Sequence, residues 1–173
     1  MSDPLRLQNR QRTRPVNLRF LRRIIKALLQ DHFGADSFDF GIYLISTPEM
    51  THLNETFLRH KGSTDVITFD YSENAAGLLH AEIFICIDEC VRQARQFKTT
   101  WQSELTRYLI HGLLHLQGHD DVRPAPRRKM KVQENRLLHE ITHRFDLVKI
   151  AAKLKKGNRT VETVHASQAR FRG

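Results

Sequence analysis

Two histidines stand four residues apart in HGLLHLQGHDD, residues 111–121. On a helix, side chains at that spacing leave the same face, so His111 and His115 can share one metal ion. Gly118 follows three residues later and lets the chain turn sharply out of the helix. Such a turn can return a third ligand to the two imidazoles. Asp121, ten residues after His111, has the spacing of zinc sites whose third ligand follows a turn. A carboxylate is an acceptable zinc ligand. His119 competes for that role, but its side chain leaves the metal unless the turn is irregular. Asp121 is therefore preferred, with Asp120 as a hydrogen-bonding or capping neighbour. A helical histidine pair also occurs without any metal, and this chain has ten histidines. Gly118 and Asp121 set this pair apart.

The residue after His111 is glycine, where zinc proteases carry a glutamate general base. Peptide hydrolysis needs that base. Phosphoryl transfer depends more on positioning and charge neutralisation. Gly112 also allows close approach of a strand or of RNA. A literal H-E-x-x-H stands elsewhere, as His139, Glu140 and His143. The tenth residue after His139 is Lys149, and no glycine turn intervenes. Glu162 is a distant third ligand at best, in a segment with little core-forming pattern. A metalloprotease using His139, Glu140 and His143 is the weaker alternative. Cys86 and Cys90 could form half of a zinc site, but Cys86 lies in an apolar strand-like run and no second pair accompanies it at finger spacing. Two cysteines make no disulfide framework, which fits a reduced, cytoplasmic setting.

Charge is distributed unevenly. The net charge is +9; residues 1–23 carry +6 and residues 145–173 carry +5, which leaves −2 on the body. Basic ends on a near-neutral body suit a polyanion such as nucleic acid; ends that merely aid solubility, or an acidic membrane surface, are the plainer readings. The apolar runs are too short to cross a bilayer, and the first residues lack the apolar core of a secretion signal.

The elements that must position the histidines follow from periodicity. Residues 1–15 read as a basic arm or an early edge strand. Residues 17–33 repeat apolar side chains at helical steps, with Gly34 as the stop. A strand is expected at 38–46, a helix from Thr47 to about 59, strands around 66–69 and at 78–88 with a loop between, and a helix at 89–97 capped by Asp88. Thr100 should cap the histidine helix. The segment RPAP, 123–126, reads as a break before a last helix at 127–144. The expectation is an α+β fold: a small mixed sheet of three to four strands packed with about five helices, with a zincin-like metal site on a central helix. Residues 1–148 read as one domain and 149–173 as a basic, mobile tail with a helical first part.

HGLLHLQGHDD resembles the signature of the YbeY-like bacterial endoribonucleases of ribosomal RNA maturation, His-Gly-x-Leu-His-Leu-x-Gly-[Tyr/His]-Asp-His. Ten of the eleven positions fit, and Asp121 stands where the family has histidine. STDVITFDY (63–71) is similar to the family's Thr-Asp-Val-Leu-Ser-Phe segment. NETFLRHKGSTDV places Arg59 where the family has a basic residue lining the site. AEIFIC (81–86) resembles the family strand Gly-Asp-Ile-x-Ile, with Ala81 and Glu82 replacing Gly-Asp. ELTRYLIHG (104–112) leads into the metal helix as the family does. The resemblance spans roughly 15–145.

The resemblance implies a hydrolase with one zinc per chain, cutting single-stranded stretches of ribosomal RNA precursors. It points to the small-subunit RNA 3′ end and ribosome quality control, and to a small-subunit ribosomal protein and an assembly GTPase as partners. It makes Arg59 a catalytic, phosphate-binding residue, where its planar fork suits the task. Without it, Arg59 reads as a solvated helix end. Ser63, Thr64 and Asp65 could bind RNA or cap the following strand, capping being at least as good a reading; Ser63 and Thr64 are taken as the RNA contacts. An aspartate ligand adds negative charge and should weaken catalysis relative to three histidines. A non-catalytic, RNA-binding assembly factor with structural zinc is the alternative within the same fold.

Overall fold

A computed structural model describes residues 4–33, 38–72 and 79–153. The expected stop at Gly34, most of the loop before the fourth strand, Glu162 and most of the basic tail lie outside the described residues.

Among the described residues the sheet has four strands: β1 (Leu5–Asn9), β2 (Phe38–Ile45), β3 (Val66–Asp70) and β4 (Leu79–Cys86). Their order is β1-β2-β4-β3, with β1 parallel to β2, β2 parallel to β4 and β3 antiparallel to β4. Alternate residues face opposite sides. Phe40, Ile42 and Leu44 of β2 join Ala81, Ile83 and Ile85 of β4 in the large core. Tyr43, Ile45, Phe84 and Cys86 face the other way, into a smaller cluster with Met50 and Ile67. Burial on both faces explains why β2 and β4 read as nearly continuous apolar runs.

Among the described residues, five α-helices surround the sheet: α1 (Leu18–His32), α2 (Thr47–Leu53), α3 (Ile87–Phe97), α4 (Trp101–Leu116) and α5 (Pro124–Arg144). The Asn17 side chain accepts from Phe20 N at 3.1 Å and starts α1. Its stripe of Ile24, Ile25, Leu28 and Leu29 is fully buried. The expected helix from Thr47 to about 59 divides. After Leu53 the backbone widens into a π-helical turn, Asn54–Leu58, and Arg59 is left-handed at φ 54°. Asn54 points inward and donates to Gly62 O at 2.8 Å, which draws the 59–62 loop against the turn.

Asp88 does not cap its own helix. Cys86 precedes α3, and the Asp88 carboxylate instead accepts from Thr47 N at 2.7 Å at the start of α2. RPAP is not a break either. Pro124 opens α5, because proline is compatible with the first helical turn, where its missing N–H has no partner to lose. Beyond α5, Leu147–Ile150 form a 3-10 turn, Ile150 is fully buried, and Ala151 bridges to Val16. The chain therefore remains packed past residue 148.

Candidate metal centre

Thr100 caps α4 by accepting from Ser103 N at 3.2 Å. The helix buries Leu105, Leu109 and Leu113 and crosses β3 and β4. Its approach to the sheet is close at Gly112. A Cβ there would lie 3.1 Å from Ile83 Cγ2 and 3.2 Å from Thr68 Oγ1. The missing glutamate thus has a structural cause: position 112 faces the sheet, where a long side chain has no room.

His111 and His115 leave the adjacent face, their ring centroids 4.6 Å apart. Gly118, at φ 85°, turns the chain back. The Asp120 carboxylate then accepts from Val122 N at 2.8 Å and Arg123 Nε at 2.8 Å. The Arg123 bond, with the backbone contacts, holds its pKa below the ordinary value. That fixed turn swings Asp121 to the histidines. Its Oδ2 lies 3.4 Å from His111 Nε2 and 3.6 Å from His115 Nε2, and the two Nε2 atoms are 3.0 Å apart.

The outward nitrogens are set by what lies behind them. His111 Nδ1 is 3.0 Å from Glu134 Oε2, and His115 Nδ1 is 3.1 Å from His119 O. A carboxylate and a carbonyl both require a donor, so each ring is protonated at Nδ1 and presents Nε2 as a lone pair. Glu134 is buried on α5 and also accepts from Arg107 Nη1 and Lys131 Nζ, both at 2.7 Å. Burial pushes its carboxyl up, but His111, Lys131 and Arg107 hold it down to about 2. Burial works against a charged His111, and Glu134 outweighs it, raising the imidazole above its ordinary value. Sequence reasoning missed Glu134. Its signal was a charged residue in the buried stripe Met130, Leu137, Ile141 of α5.

Two lone-pair nitrogens and a carboxylate oxygen converge on one point, an arrangement that is repulsive unless a cation or a proton lies between them. Ligands about 2.1 Å from a tetrahedral zinc stand about 3.4 Å apart, close to the distances here. His111, His115 and Asp121 are the one group of this kind among the described residues. The donor set fits a divalent ion of zinc's preferences.

The site opens into a cleft walled by His60, Thr64, Asp65 and Thr68 together with His111, His115 and Asp121. Thr64 is thus beside the site, its hydroxyl 3.1 Å from Asp65 Oδ1. Ser63 is turned away, with Oγ 3.9 Å from Cys86 Sγ. Arg59 is exposed and left-handed, and it is not among the residues lining the cleft, although its neighbours Leu58 and His60 are. His119 gives its backbone carbonyl to His115, and its imidazole is not in the three-donor group. In the H-E-x-x-H stretch, Glu140 is engaged by His32 at 2.9 Å, and no third ligand joins His139 and His143 among the described residues. Cys86 and Cys90 are free and buried.

The sequence model of the family described as Endoribonuclease YbeY matches residues 6–142. The chain belongs to the YbeY endoribonuclease family. An Endoribonuclease YbeY of Chlorobium luteolum is 31% identical over 137 residues, covering 79% of this chain and 97% of that protein. One from Salinibacter ruber is 28% identical over 146 residues, covering 80% of this chain and 92% of the relative. One from Parabacteroides distasonis is 36% identical over 114 residues, covering 66% and 78%. A solution structure from Thermotoga maritima shares the fold, with a TM-score of 0.58 at 24% identity, covering 81% of this chain and 90% of that one. The YbeY match takes in α4, the turn carrying Asp121, and Glu134. An RNA substrate follows from the family. No helix among the described residues is long and apolar enough to cross a membrane.

Proposed function

We propose that this chain is a zinc-dependent endoribonuclease that cuts single-stranded stretches of ribosomal RNA precursors. Its place is maturation of the small-subunit RNA 3′ end and ribosome quality control in the cytoplasm. A small-subunit ribosomal protein and an assembly GTPase are the proposed partners. The observation that carries this reading is the convergence of His111, His115 and Asp121 in an open cleft. The basic termini, +6 over residues 1–23 and +5 over 145–173, support a polyanionic substrate.

Zinc held by His111, His115 and Asp121 supplies Lewis acidity and activates water near neutral pH. Glu134 keeps the His111 ring in the orientation that points Nε2 into the cleft. The His119 carbonyl does the same for His115. Thr64, on the cleft wall, gives its hydroxyl proton to Asp65 and so would meet RNA as an acceptor, and Arg59, exposed next to His60, would hold a phosphate. Ser63 would reach RNA only by leaving its contact with Cys86. With glycine at 112, the metal helix carries no glutamate in the protease position, and catalysis would rest on placing the phosphodiester and neutralising its charge.

The test is zinc per chain, by elemental analysis, in the wild type and in Asp121→Ala, followed by cleavage of single-stranded RNA. One zinc per chain that is lost in Asp121→Ala, with RNA cleavage by the wild type, is expected. His139→Ala should keep its zinc. Zinc retained in Asp121→Ala would remove Asp121 from the ligand set. Zinc bound with no cleavage, and RNA binding that falls steeply with salt, would identify an assembly factor instead.

A further inference from the structure

His111 and Asp121 are shared by two depressions. One is the cleft already described. The other, of about 240 Å³, lies on the α5 side and is lined by His111, Asp121, Arg127, Met130, Lys131 and Glu134. The ligand group is therefore a divide, open on both flanks. An RNA strand crossing it must place nucleotides on both sides of the bond to be cut, and each carries a phosphate.

Arg127 supplies the charge on this second flank. Its Nε donates to Asp121 O at 2.6 Å and its Nη2 to Val122 O at 3.2 Å. These bonds use two of the five guanidinium donors. Both acceptors are neutral carbonyls, so they fix the side chain in place without neutralising it. Its neighbours differ. Arg123 is paired with Asp120 at 2.8 Å. Lys131 and Arg107 are both drawn to Glu134 at 2.7 Å. Among the described residues, no carboxylate is paired with Arg127. A preordered, uncompensated fork beside the metal ligands is suited to a phosphate oxygen pair.

We infer that Arg127 binds the backbone phosphate next to the scissile one, on the α5 flank of the site. This rests on the endoribonuclease reading for its substrate, but it is tested by binding as well as by cleavage.

The experiment uses the full chain, zinc-loaded and metal-free, and a short single-stranded RNA. Arg127→Ala is compared with Arg128→Ala, which removes the same charge one residue away, from an exposed side chain outside the depression, and with Arg127→Lys. Arg127→Ala is expected to weaken binding about tenfold. It should also reduce the slope of log affinity against log salt by about one. Arg128→Ala should stay within about twofold, Arg127→Lys should fall between, and zinc content should not change. Equal losses at 127 and 128 would overturn the inference, since they mean diffuse attraction. So would a loss confined to the zinc-loaded form together with lowered zinc content, since Arg127 would then only brace the 121–122 turn. If the wild type binds but does not cleave, the endoribonuclease reading fails, and a selective loss at Arg127 still upholds the phosphate site. If it cleaves and Arg127→Ala binds normally, only the phosphate site fails.

Discussion

Glu134 Oε2 lies 3.0 Å from His111 Nδ1, although the two residues are 23 positions apart and on different helices. The contact ties α5 to the metal helix and decides which nitrogen His111 offers. It also gives Arg107 and Lys131 a common acceptor, so one buried carboxylate organises three donors.

Removing that carboxylate should therefore weaken both site and fold. Glu134→Gln keeps the shape but loses the charge, and zinc affinity is expected to drop about 10- to 100-fold. Glu134→Ala takes one of two buried carboxylates from Arg107, Glu104 at 3.7 Å being the other, and should cost about 2 kcal/mol, less than breaking a fully buried isolated pair because Arg107 keeps Glu104 and Lys131 is mostly exposed. Zinc titration against a chelator and urea unfolding measure the two effects. Unchanged zinc affinity in Glu134→Gln would mean that His111 is oriented without help.

The carboxylate at 121 brings a negative charge that a histidine would not. It lowers the Lewis acidity of a zinc held there. Asp121→His, fully loaded with zinc, is expected to cleave RNA about five- to tenfold faster than the wild type. Elemental analysis must show equal loading before rates are compared. A variant that is no faster would show that ligand charge does not limit the reaction.

Gly112 has a packing role. Ala is favoured over Gly in a helix by about 1 kcal/mol, but its Cβ would press on Ile83, which is fully buried in a central strand, and on Thr68. Gly112→Ala should give a net loss of about 1 kcal/mol and Gly112→Glu about 3 kcal/mol or more. Denaturant midpoints with unchanged slopes would confirm this. A stable Gly112→Glu protein would show that the α4–sheet contact can open.

The local parts of this architecture were readable from residue types. Thr100 caps the histidine helix, the Ile24–Leu29 stripe is buried, and the turn at Gly118 carries Asp121 to His111. Each depends on neighbours within about ten residues, where periodicity and capping chemistry act. What was not readable depends on contacts across the fold. Glu134 meets His111 only because α5 packs on α4. Asp88 caps α2 because β2 and β4 are adjacent and parallel, which brings their C-terminal ends together. The π-helical turn after Leu53 is held by Asn54 reaching Gly62, a loop closure that helical periodicity does not encode. Pro124 and Pro126 looked like a break because the same residue that ends a helix is also tolerated in its first turn.

Asp88 gives a prediction with a defined pH window. Its carboxylate accepts from Thr47 N at 2.7 Å, from Thr47 Oγ1 at 3.0 Å and from Thr13 Oγ1, and so joins three segments of chain. Burial opposes its ionisation, but the bonds from Thr13 and Thr47 outweigh this and lower its pKa below the ordinary value. A carboxylate with a lowered native pKa binds its proton more readily in the unfolded chain, whose aspartates titrate near pH 4. Its contribution is thus fully present above about pH 4 and is lost as pH falls through the native value. Asp88→Ala should be less stable by about 2 kcal/mol at neutral pH, and the gap to the wild type should close on acidification below about pH 4. Urea unfolding of both proteins from neutral pH down to about pH 3 tests this. A gap that stays constant would mean that Asp88 acts through packing alone, and that its charge adds nothing to the junction of α2, α3 and the segment after β1.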